Sequence, residues 1–144
     1  AITVLLRFQP TSLHFFLSNS IDAIRQVHAE ISKFLPIELD RLSTPYNAWY
    51  FDMGNNHEYI LLPLQISPGD YSTMSSLRLS SDLEDLIKNS PNTNIANGTM
   101  TSFLDTQYGA PRQADFWSEN KYRDSDARNT AIPQFALVLA DFSV

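Results

Sequence analysis

The chain has 144 residues, 43% of them apolar and 12% aromatic, which suits one domain around one packed core and excludes global disorder. It has no cysteine, so disulfides, thiolate metal ligands and thiol nucleophiles are all excluded. A net charge of −6 sets the average field against phosphate, which disfavours non-specific binding to nucleic acid or anionic lipid, and the ten basic residues are scattered singly.

Residues 2–8 are dense in β-branched and large apolar side chains and stop before Pro10, which predicts a first strand buried on both faces. Ser20 is a good N-cap for a helix in which Ile21, Ile24, Val27, Ile31 and Phe34 recur at helical spacing and which Pro36 ends. Its other face carries Asp22, Arg25, Gln26, Glu30 and Lys33, as expected of an amphipathic helix lying on a sheet.

Residues 46–53 and 58–66 are strand-like runs joined by Gly54-Asn55-Asn56, types that accept the positive φ of a tight hairpin. Pairing about Asn55-Asn56 puts Trp49, Phe51 and Met53 on one face with Ile60, Leu62 and Leu64, and Tyr50, Tyr59 and Leu61 on the other. Pro63 cannot donate to a ladder, which predicts a sheet edge or a bulge there.

Pro68-Gly69-Asp70 reads as a turn, and Ser81 with Glu84 as a capping box opening a short second helix through Leu83, Leu86 and Ile87 that ends by Pro91. Residues 92–102 are polar and aperiodic, as in a mobile loop, and contain the lone glycosylation sequon Asn97-Gly98-Thr99. Residues 105–133 have no clear period and form a long loop before a last strand at 134–142, dense enough in apolar residues to be central. The order of elements predicts an α+β fold spanning residues 1–144 as a single domain. It is a mainly antiparallel sheet with two helices on one face, of the split β-α-β kind.

No apolar run approaches the roughly 20 residues of a membrane-spanning helix, and residues 2–6 are too short for a signal-peptide core and lack a basic start. Missing cysteine leans towards the cell interior, whereas a surface rich in Ser, Thr and Asn and poor in charge leans towards virion or extracellular proteins. The expectation is a soluble chain, cytoplasmic or virion-associated rather than secreted.

Asp52, His57 and Glu58 form the chief chemical cluster, because a tight hairpin gathers them at one end, where a base near neutrality beside carboxylates suits general acid–base work. His14 and His28 are the other histidines, and none has a ligand-type neighbour at a metal-binding spacing, so no metal is expected. Glycines occur only at 54, 69, 98 and 109, which leaves no phosphate-cradling loop or dinucleotide fingerprint and hence no cofactor. No G-x-S-x-G nucleophile elbow occurs.

Residues 108–128 mix aromatic rings with paired charges, the composition of interaction hot spots. Tyr108, Phe116, Trp117, Tyr122 and Arg123, with Tyr50 and Tyr59 of the hairpin, are the candidate binding residues. Three functions compete. The leading one is a non-enzymatic interaction or assembly module, as a homo-oligomer or a viral structural subunit, with a protein partner or a second copy. The others are a small hydrolase or nuclease using His57 with Asp52 or Glu58, aided by Arg123 or Arg128, and an acidic inhibitor that neutralises a basic partner.

Overall fold

The computed structural model describes residues 1–52, 58–90 and 92–114, with a last strand at 135–139 whose backbone is placed. Strand β1 (Ile2–Phe8) leads through a 3-10 turn at Pro10–Ser12 into helices α1 (Leu13–Ser18) and α2 (Ser20–Phe34). Strands β2 (Leu42–Ser43), β3 (Ala48–Asp52) and β4 (Ile60–Ile66), helix α3 (Ser76–Lys88) and strand β5 (Phe135–Leu139) follow.

The sheet runs β1-β4-β3-β5 with every neighbour antiparallel, and β2 also pairs with β4. Strands β1 and β3 are therefore parallel with β4 between them, joined through α1 and α2, which is the split β-α-β arrangement. Alternation along each strand sorts the faces. Val4, Leu6, Phe8, Trp49, Ile60, Leu62, Leu64 and Ile66 are buried against Ile24, Val27 and Ile31 of α2 and Leu79, Leu83 and Ile87 of α3. The opposite face carries Leu5 and Leu61 packed on Tyr108, with Tyr50 beside them.

The hairpin register is the expected one, with Tyr50 opposite Leu61 and Phe51 opposite Ile60, while its tip at 53–57 lies outside the described residues. Pro63 sits in the central strand, not at an edge. Leu5 opposite it sends its amide away from β4, to the Pro111 carbonyl at 2.9 Å, so the missing Pro63 donor faces the gap between β2 and β3. Thr44 fills that gap by donating its hydroxyl to the Pro63 carbonyl at 2.9 Å.

Other boundaries differ from expectation for local reasons. Asn19, not Ser20, caps α2, its side chain accepting from the Asp22 amide, while the Ser20 hydroxyl turns back to the Phe16 carbonyl of α1, a helix the periodicity did not announce. Ser75 caps α3 by accepting from the Arg78 amide, so the helix begins before Ser81 and recruits Leu79 to its buried face. Strand β5 ends the described sheet order instead of lying centrally, because apolar density reports covered faces and not position among strands.

Residues 92–104 are not a free loop. Ile95, Met100 and Thr101 are buried, and the buried Glu30 carboxylate accepts from the Met100 and Thr101 amides and the Thr101 hydroxyl, all within 3.2 Å. The chain then passes along the outer edge of β1, where Asp105 donates its amide to the Arg7 carbonyl at 2.7 Å. Isolated bridges join Phe8 to Leu104 and Val4 to Arg112. Gly109 takes φ +71° against α3, where the Cβ of any other residue would stand 2.7 Å from Glu84 Oε1.

Candidate functional site

Three sites hold polar or apolar groups in arrangements the core does not require. The first is on the sheet face away from the helices. Arg7, alone among apolar neighbours in β1, donates to Asp105 Oδ2 from Nε at 2.9 Å and from Nη2 at 2.6 Å, and its Nη1 reaches Asp52 Oδ2 at 3.2 Å. Its guanidinium carbon lies 4.5 Å from the Tyr59 ring centre and 4.6 Å from that of Tyr108, so the cation meets aromatic rings as well as carboxylates. About a tenth of each charged side chain is exposed (11% for Arg7, 9% for Asp52 and 12% for Asp105), which makes this a buried cluster with strong local attraction.

The second site follows β2. His28 of α2 meets Thr44 Oγ1 through Nε2 at 2.9 Å. Because the Thr44 hydroxyl already gives its proton to the Pro63 carbonyl, the imidazole is the donor, with its proton on Nε2. Burial lowers the His28 pKa to about 4, so the ring is neutral at pH 7. Just beyond, Tyr46 and Asn47 both take positive φ (60° and 48°), and the Tyr46 ring is left 84% exposed.

The third site joins the 3-10 turn Leu39–Arg41 to the segment between β4 and α3. Arg41 is buried at 6% exposure and donates from Nε to the Ser67 carbonyl and from Nη2 to the Met74 carbonyl, both at 2.9 Å. Its Nη1 lies 3.7 Å from Glu38. This one side chain fixes a stretch that carries Tyr71 at 104% exposure, Met74 at 46% and Leu77 at 52%. Beside it opens a cleft of about 360 Å³ lined by Glu38, Asp40, Arg41, Pro68 and Asp70.

No family model, curated protein or solved structure matches the chain.

The residues expected to act separate into distinct environments. Asp52 is held by Arg7, Glu58 is exposed at the start of the run into β4, and His57 lies outside the described residues. Of the candidate binding residues, Tyr108 is buried on the far sheet face, and Tyr50 and Tyr59 are half-buried there. Phe116, Trp117, Tyr122 and Arg123 lie outside the described residues, as does Arg128. Among the described residues no group of three histidines or carboxylates converges as a metal site, and no helix is long and apolar enough to cross a membrane.

Sequence reasoning missed the Arg41 anchor and the Tyr71–Met74–Leu77 row. The row was visible as large apolar residues at every third position after a turn, but a 3-residue step also marks a buried helix face. Only burial separates the two.

Proposed function

We propose that the chain is a non-enzymatic protein-interaction module whose contact surface is the segment 70–78 together with the adjoining turn at 38–41. The observation that supports it is Tyr71, Met74 and Leu77 held in solvent on a stretch that Arg41 anchors through the Met74 and Ser67 carbonyls. Large apolar side chains gain nothing by exposure, while an anchored backbone presents them with little ordering left to lose on binding. Aromatic anchors of this kind dominate interface energetics. The hydrolase reading has less behind it, since Asp52 is engaged by Arg7 and Glu58 stands exposed.

The test compares the wild-type chain with Tyr71→Ser/Leu77→Ser as bait for proteins from cells that make it, alongside molar mass by light scattering over a wide concentration range. A protein retained by the wild type and lost by the variant, or a multimer that the variant dissolves, is the expected result. Identical behaviour of the two chains in both measurements would refute the reading.

A further inference from the structure

We propose that the partner is a basic protein segment that lays apolar side chains on Tyr71, Met74 and Leu77 and places a lysine or arginine in the neighbouring cleft, an inference that rests on the interaction reading above. The apolar row locates the contact, and the charges beside it choose the occupant. Asp40 and Asp70 line the cleft, are exposed, and make no ion pair among the described residues. Glu38 is also exposed, and among the described residues its ion pair is with Arg41, at 3.7 Å.

The single cation in the cleft is already committed. Arg41 is buried and its Nε and Nη2 point at backbone carbonyls, so it offers little to an incoming anion. The outward charge of the cleft is therefore negative, and it adds to a chain whose net charge is −6. A second copy would bring the same negative charge to the contact, whereas a basic segment would be drawn in and oriented by it. The cleft of about 360 Å³ has room for one long basic side chain, whose aliphatic stem continues the apolar contact made by Tyr71 and Met74.

The test is a heteronuclear NMR titration of the full chain with a short peptide alternating arginine with leucine and phenylalanine, and with a matched peptide carrying glutamate in place of arginine. Saturable shifts confined to residues 38–41 and 67–78, produced by the arginine peptide alone and weakening as salt rises, are expected. Asp40→Asn/Asp70→Asn should weaken this binding by about tenfold, roughly threefold for each rim charge. Equal binding of both peptides, or binding indifferent to those substitutions, overturns the basic partner. Arginine-peptide shifts mapping elsewhere, or none at all, overturn it too. If in that case the bait experiment still retains a protein lost with Tyr71→Ser/Leu77→Ser, the interaction reading stands and only the partner's charge falls. A concentration-dependent multimer dissolved by that double variant would make the occupant a second copy and overturn the basic segment.

Discussion

Arg7 places two nitrogens, Nε and Nη2, on one oxygen of Asp105, ninety-eight residues away, at 2.9 and 2.6 Å. Through this contact the last part of the described chain before β5 is tied to the sheet's outer strand, and the third nitrogen ties in the hairpin through Asp52.

Removing the cation should be far worse than removing a surface charge. Arg7→Met takes their shared cation from two buried carboxylates and two tyrosine rings, at a cost of about 3–5 kcal/mol. Chemical denaturation would read this directly. A loss under about 1 kcal/mol would mean that water screens the cluster as it does a surface pair.

Glu30 has a different task, since its carboxylate accepts from the backbone amides of Met100 and Thr101. Glu30→Ala strands the Met100 and Thr101 amides, each worth about 1–3 kcal/mol if left unsatisfied. Amide exchange at those two positions should quicken more than at Leu83 in α3, and uniform acceleration would show a global effect only. Gly98→Ala should injure the same contact, because the added methyl would meet Glu30 Oε1 and Thr101 Oγ1.

At Gly109 the left-handed backbone and the approach to α3 act together. Gly109→Ala pays about 1–2 kcal/mol for the conformation, and Lys88 Cε at 2.8 Å and Glu84 Oε1 at 2.7 Å must move aside. A lowered midpoint in thermal unfolding is expected. An unchanged midpoint would mean that the backbone relaxes to negative φ.

His28 gives the fold an acid sensitivity of predictable sign. Its pKa is about 4 folded and 6.5 unfolded, so between those values the unfolded chain takes up a proton that the folded chain refuses. The contribution is complete above pH 6.5 and is lost as pH falls towards 4, by up to about 1.4 kcal/mol per pH unit. The stability of His28→Gln, which cannot titrate there, should fall less steeply across that window. Parallel curves for the two proteins would show that His28 is hydrated in the fold.

The fold was legible wherever local pattern and burial coincide. The apolar density of β1, the 3.6-residue period of α2 and the hairpin register all depend on residues close in sequence, and each element is found where expected. The start of α3 was misplaced because Ser75 and Ser81 are equally acceptable caps by residue type, and the choice falls to Leu79, buried only because β1 and β4 lie beneath it. The sites were less legible. A lone arginine in an apolar strand announces a buried charge, but its partners stand forty-five and ninety-eight residues away, and nothing local names them. Likewise Glu30 reads as a solvated helix residue until the 99–101 backbone closes over it.

The placement of β1 has a kinetic consequence. This strand pairs with β4 along one side and with the 103–112 stretch along the other, so neither side can be satisfied by a near neighbour in the chain. During synthesis β1 leaves the ribosome before α1, α2, β2 and β3, and its apolar residues wait for all of them. Such non-local closure slows folding and lengthens the time an unpaired strand is open to the wrong partner. Arg7, next to the last residue of that run, closes it with a charge during the interval before Asp52 and Asp105 exist, which makes the same side chain a gatekeeper against aggregation first and a clamp afterwards.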